Sequence, residues 1–279
     1  MTVLPEPHSL DTGIDAQQPN LARMYDYYLG GAYNFEVDRA RAEQVCGVLP
    51  CMNMLARSNR GFLRRAVRYM VDEGVDQFID IGAGIPTAEN THDVAQGRNP
   101  AATVAYVDNE PVAVEHGRRI LEDTPGTVMI QADVREPDTI LGHPEVAGLI
   151  DFSRPVGVLL CGVLVFIPED ADAESTATLM TAYRRALVPG SFVAVSHLTH
   201  DEADDDTRDQ VDTMVGVYRG GGEHLYVRDR ETLARWFDGL ELVPPGITLM
   251  DEWQPDRNRS LDPDSPARWL GYGGVGRVG

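Results

Sequence analysis

Three aspartates and one glycine turn carry the chemistry of this sequence. Asp80 stands two residues before Gly82-Ala83-Gly84 in DQFIDIGAGIPT, Asp108 ends TVAYVD, and Asp133 ends TVMIQAD. A glycine turn between a strand and a helix lets a ligand approach the backbone closely, and dinucleotide sites use it to seat a pyrophosphate. Here Thr87 stands where such a fingerprint has its third glycine. An ionised Asp80 would also repel a phosphate in a partly dry site. The turn therefore suits a ligand that has positive charge and no phosphate. Asp108, 24 residues past Gly84, is placed to accept both ribose hydroxyl protons of an adenosine. Asp133 can take an adenine amino group while Val134 covers the ring. Each acid alone could be a helix cap, but three at successive strand ends describe a site for an adenosine-bearing cation.

Those acids need a parallel sheet to bring them to one edge. After Gly74, short apolar runs alternate with helical stretches: QFIDIG, TVAYVD, GTVMIQAD, PVGVLLCGV and SFVAVSHL. They are near-continuously apolar, as strands buried on both faces are, and their order predicts a doubly wound, mostly parallel α/β sheet. Next comes a helix, ETLARWFDG, and then LELVPPGITLM and RWLGYGGVG read as two more strands at the sheet's edge, seven in all. The acidic run DEADDD reads as a solvated helix start or loop.

Before Gly74 the chain reads as helical. Residues 1–18 have no apolar period and predict a disordered tail, 19–74 a helical annex and 75–279 the main domain. Pro19 and Gly30-Gly31 bracket a short helix, Glu36 and Asp38 suit the first turn of a second, and Phe62, Leu63, Ala66, Val67, Met70 and Val71 share one face of a third. In YDYYLGGAYNF, three tyrosines, a glycine pair and Asn34 read either as a flap closing over a ligand or as plain core packing. Arg57, Arg60, Arg64, Arg65 and Arg68 read as a solvated helix face.

S-adenosylmethionine (SAM) carries an ammonium and a sulfonium and no phosphate, and the constellation resembles the class I SAM-dependent methyltransferases. ARMYDYYLGGAYNFEVDR, NRGFLRRAVRYM, DIGAGIPTAENTHDVAQ, YVDNEPVAVEHGR, FDGLELVPPG and WLGYGGVGR look more narrowly like an actinobacterial S-adenosyl methyltransferase family of largely unassigned substrate. The resemblance implies a Rossmann-like methyltransferase sheet. It also implies a SAM site with Asp80, Gly82, Ala83 and Gly84 around the methionine part, Asp108 and Asn109 at the ribose, and Asp133 with Val134 at adenine. Cys161 and Gly162 would lie beside the cofactor. It favours the flap reading, a cofactor lid with Gly31 and Asn34 at the ligand. Arg60 would be a partner for the methionine carboxylate, against the plainer reading of a surface arginine. Val165 departs from the pattern, standing where relatives often carry histidine.

Methyl transfer from a sulfonium is an in-line displacement, in which proximity and orientation supply most of the help and a base is optional. His197, with His200 in VSHLTHD, is the candidate base; a structural histidine is the plainer reading. LCGVLVFIP lacks the Asn/Asp-Pro-Pro-aromatic pattern that enzymes methylating exocyclic base amines resemble. The net charge of -20 argues against a broad nucleic-acid surface, so the acceptor is expected to be a small molecule, with a protein side chain the alternative. The three cysteines show no metal-ligand spacing and read as reduced thiols. With no leader-like or bilayer-spanning run, the expectation is a cytoplasmic protein without membrane contact. A catalytically silent SAM-binding or regulatory protein is the rival function, and a nicotinamide oxidoreductase, disfavoured by Asp80, a further one.

Overall fold

The computed structural model describes residues 17–87, 90–168, 176–255 and 264–279, so the expected disordered tail falls outside it except for Gln17 and Gln18. Three helices come first: α1 (Leu21–Leu29), α2 (Glu36–Val48) and α3 (Met52–Asp72). Asn20 caps α1 by accepting from the Arg23 amide, and Gly30 closes it in the left-handed region at φ 83°. The cap is therefore one residue past Pro19. α3 begins earlier than its apolar stripe suggests and lies against the sheet, with Phe62, Val67 and Met70 fully buried.

Five parallel strands follow: β1 (Gln77–Ile81), β2 (Thr103–Asp108), β3 (Thr127–Gln131), β4 (Gly157–Cys161) and β5 (Phe192–Leu198). Between them run α4 (Thr91–Arg98), α5 (Pro111–Leu121), α6 (Pro137–Leu141), α7 (Pro144–Leu149) and α8 (Thr176–Arg185). Alternate strand residues enter opposite layers. Phe78, Tyr106 and Leu159 join the core that includes α3, while Ile79, Ile81, Val158 and Leu160 join a second core with Tyr183 and Trp236. Burial on both faces explains the unbroken apolar runs.

After β5 come α9 (Asp205–Gly220), α10 (Arg230–Trp236), β6 (Glu241–Leu242), β7 (Thr248–Leu249) and β8 (Gly271–Arg277). Asp204 of the acidic run caps α9 by accepting from the Thr207 amide. Among the described residues the sheet has eight strands, one more than expected, in the order β3-β2-β1-β4-β5-β8-β6, with β7 also on β8. Pro244 and Pro245 supply no N–H to a ladder, so LELVPPGITLM yields two short strands instead of one. β8 is not an edge strand: it lies antiparallel between β5 and β6.

The arginines of α3 do not form one solvated face. Arg57 is exposed, but Arg60 and Arg65 are buried. The Arg65 guanidinium donates to Trp253 O at 2.9 Å and Met250 O at 2.5 Å, satisfying carbonyls of the segment that follows β7. Arg65→Met is expected to lower unfolding free energy by about 1.5–3 kcal/mol, the range for hydrogen bonds to a charged group. Arg57→Met should stay within about 0.5 kcal/mol. Denaturant unfolding of both variants checks the contrast, and equal effects would contradict it.

Candidate functional site

Strand order reverses between β1 and β4, where an open α/β sheet forms a crevice at its carboxyl ends. A cavity of about 400 Å³ fills that crevice, bounded by the ends of β1–β4 and by α1 and α3. The glycine turn is folded onto β2. Gly82 and Ala83 donate their amides to Val107 O at 2.8 and 3.1 Å, and Gly84 donates to Asp108 Oδ2 at 2.8 Å. Gly82 and Gly84 have φ of 72° and 65°, the left-handed region. A Cβ on Gly82 would stand 2.4 Å from Val163, whereas one on Gly84 would meet nothing within 4 Å. The turn thus packs tightly at its first glycine and faces open space at its second.

Asp108 has a second task that sequence reading missed. Its Oδ1 also accepts from the Glu110 amide at 2.9 Å, so the carboxylate joins the turn to the start of α5 while lining the cavity. Burial pushes its pKa up to about 6, against the opposing pull of the Glu110 and Gly84 amides. Asp80 faces the α3 side of the sheet, accepts from Thr91 Oγ1 at 2.6 Å, and is raised by burial with Thr91 and Arg60 opposing. Arg60 is a cavity residue and not a surface arginine: it is 8% exposed, its Nε has no hydrogen-bond partner among the described residues, and its guanidinium carbon is 5.9 Å from the Tyr25 ring centre. A buried donor of that kind calls for an anionic or acceptor group on a ligand.

α1 covers the crevice with Leu21, Ala22, Tyr25 and Tyr28. Asn20 Nδ2 donates to Glu110 Oε2 at 2.5 Å at one end, and at the other Thr87 Oγ1 donates to Asp26 Oδ1 at 2.7 Å. Asp26 Oδ2 further accepts from the Tyr33 amide at 2.8 Å and from Asn34 Nδ2 at 2.9 Å. Asn34 is consumed by this clip, with Nδ2 also on Gly31 O at 3.0 Å. A Cβ on Gly31 would stand 2.0 Å from Asp26 Oδ1, so glycine there makes room for the clip. Gly31 and Asn34 are not among the residues that line the cavity, contrary to their expected place at the ligand; the glycine pair ends α1 and leaves clearance for Asp26.

At the far strand ends, Asn109, Asp133, Val134, Cys161 and Gly162 line the cavity with Ala83. Asp133 is already engaged by Arg135, whose Nε and Nη2 donate at 2.9 and 2.5 Å and hold its pKa down. Adenine at this position would share the carboxylate with Arg135. Burial raises the Cys161 thiol to about 12, so it stays protonated. Asn59 was not singled out from the sequence: its Oδ1 accepts from Ser196 Oγ and its Nδ2 donates to Tyr25 OH at 2.9 Å, joining β5, α3 and α1 beside the cavity. The available signal was a poor helix former inside a helix.

His197 lines the cavity but does not suit the base role. Its Nε2 bonds Tyr226 O at 2.9 Å, and burial followed by the Arg228 charge drives its pKa down to about 3. Such an imidazole is neutral at physiological pH and a weak proton acceptor. His200 lies 3.7 Å from Asp212 in a separate outer groove. Among the described residues no cluster of potential metal ligands occurs, and no helix is long and apolar enough to cross a membrane.

The Asp108 geometry sets a pH dependence. With Asp108 at the ribose as expected, the hydroxyls would donate to the ionised carboxylate, and affinity for S-adenosylhomocysteine (SAH) should rise with pH through about 6 and then level off. A loss of about tenfold is expected at pH 5 relative to pH 7, one pH unit below the ligand-free value; Asp80, also raised by burial, acts in the same direction. Stability of the free protein runs the other way. The folded pKa lies above the ordinary 3.8, so this group's contribution is present below that value and lost as pH rises through about 6. Calorimetric titration at several pH values checks the first, and tighter SAH binding at pH 5 than at pH 7 would contradict it.

A structure from Thermobifida fusca YX, described as a candidate methyltransferase, is 39% identical, covers 98% of this chain and 99% of that chain, and superposes with a TM-score of 0.86. A DUF574-family protein from Streptomyces avermitilis is 30% identical over 95% of this chain and 99% of that chain, with a TM-score of 0.87. No curated protein matches the chain. The sequence model of the S-adenosyl methyltransferase family matches residues 7–279, and the chain belongs to that family: it is a SAM-dependent methyltransferase.

Proposed function

We propose that this enzyme moves the methyl group of SAM to a small-molecule acceptor by holding the two in line, without a protein base. The observation that carries the reading is the pairing of Arg60, a buried cation with an unused donor, with the buried carboxylates Asp80 and Asp108 in one crevice. A ligand with a carboxylate, an ammonium and a ribose matches those three groups in turn. Arg60 takes the carboxylate and Asp80 the positive end, while Asp108 and Asn109 receive the ribose. Asp133 and Val134 receive adenine, Ala83, Cys161 and Gly162 form the wall, and α1 is the cover.

When bound, SAM supplies an electrophilic methyl on sulfur. The acceptor's lone pair would form the new bond to that carbon as the carbon–sulfur bond breaks, with that bond's electron pair left on sulfur in SAH and any proton on the methylated atom released to solvent. The chain contributes orientation and exclusion of water, a source of rate worth roughly 7–11 kcal/mol in favourable cases. Nothing in this step needs His197 to take that proton. An acidic protein of net charge -20 is a poor partner for nucleic acid, which supports the small acceptor. We keep the cytoplasmic placement and the actinobacterial grouping as part of the same reading.

SAM and SAH should each raise the melting temperature, while NAD should not; saturation a hundredfold above Kd adds about 2.7 kcal/mol. Once an acceptor is in hand, His197→Gln should retain turnover within about threefold, well short of the hundredfold or more that general-base catalysis contributes. Equal stabilisation by NAD would overturn the cofactor site, and a hundredfold loss in His197→Gln would restore the histidine as base.

A further inference from the structure

Away from the strand ends the cavity changes character. Its far wall is built from Met52 and Leu55 of α3, Met214 and Tyr218 of α9, and Leu225 and Met250. Charged groups gather elsewhere: Asp80, Asp108, Glu110, Asp133 and Arg135 belong to the ends of β1–β3, and Arg60 faces Asp80. Glu223, the remaining charged lining residue, stands beside this wall, its amide donating to Tyr218 O at 3.1 Å, and burial raises its carboxyl pKa. A charge brought against the apolar side chains of the wall would lose its hydration. Three methionines give the wall a surface that adapts to an apolar shape.

One polar feature interrupts this wall. The hydroxyls of Tyr28 and Tyr218 are 3.0 Å apart, and both residues are buried, at 2% and 7% exposure. A bond between two hydroxyls uses one of their two protons. The other has no acceptor among the described residues. A buried donor left unused is costly, and an oxygen on a bound molecule would satisfy it.

We propose that this wall is the acceptor subsite, and that it takes an uncharged, apolar small molecule whose oxygen accepts from the Tyr28–Tyr218 pair. The proposal rests on the SAM reading above.

The test uses 1-naphthol, 1-naphthoate and 1-naphthylmethylammonium as probes of equal ring size and different charge, titrated at pH 7 into full-length protein saturated with SAH. 1-Naphthol should bind, and both ions should bind at least tenfold more weakly. In a Tyr28→Phe/Tyr218→Phe double variant, which removes both hydroxyls together and is likewise saturated with SAH, 1-naphthol affinity should fall at least fivefold, to that of 1-methylnaphthalene, while 1-methylnaphthalene binds the variant and the wild type alike. No 1-naphthol binding to SAH-loaded protein, equal binding of either ion, or an unchanged 1-naphthol affinity in the double variant would overturn the proposal while leaving the SAM site standing. Failure of SAH itself to bind would remove both.

Discussion

A carboxylate taken out of water must find donors or lose its charge, and Asp108 finds two backbone amides, those of Gly84 and Glu110. That single arrangement draws the glycine turn against β2 and fixes where the crevice begins. Asp26 repeats it on the other side, gathering the Thr87 hydroxyl, the Tyr33 amide and the Asn34 side chain. One buried acid shapes the floor of the site and another fastens its cover to that floor. The cavity is the space these two attachments leave, and its openness at Gly84 follows from the same geometry.

Charge is distributed with the ligand in view. The chain carries a net charge of -20, and all 24 of its basic residues are arginine. An acidic surface raises the local concentration of a cationic cofactor. Inside, the order reverses, for Arg60, a buried cation, lines the cavity with a hydrogen-bond donor that has no partner among the described residues. In the proposed reading the field attracts SAM as a whole, and Arg60 orients one end of it. Lysine is absent throughout, and with His197 held at about 3 and Cys161 at about 12, neither of these two lining groups exchanges a proton near neutrality.

The five parallel strands were legible because burial on both faces leaves a local trace, an unbroken apolar run. The three acids were legible because strand ends share one edge of a parallel sheet. What sequence could not give was the choice of partner across long separations. Arg60 and Arg65 stand five residues apart on one helix, yet one serves the cavity and the other holds the carbonyls of Met250 and Trp253. Gly31 and Asn34 looked like ligand contacts beside a row of tyrosines, but their surroundings are set by Asp26 and by a turn 61 residues from it. β8 looked like an edge because its sequence is glycine-rich and terminal, and only pairing shows it between β5 and β6. His197 is at the expected place, and its chemistry is altered by burial and by Arg228, neither of which has a signature in VSHLTH.

In the proposed site one buried arginine, Arg60, reads the amino-acid end of the cofactor. Calorimetry of SAH against 5′-methylthioadenosine, which keeps adenosine and sulfur but lacks the carboxylate and ammonium, separates that end from the rest. Wild-type protein should bind SAH at least a hundredfold more tightly, about 2.7 kcal/mol. In Arg60→Met most of that gap should close through weaker SAH binding, with 5′-methylthioadenosine hardly affected. Equal affinity of the wild type for the two ligands, or an undiminished gap in the variant, would contradict it.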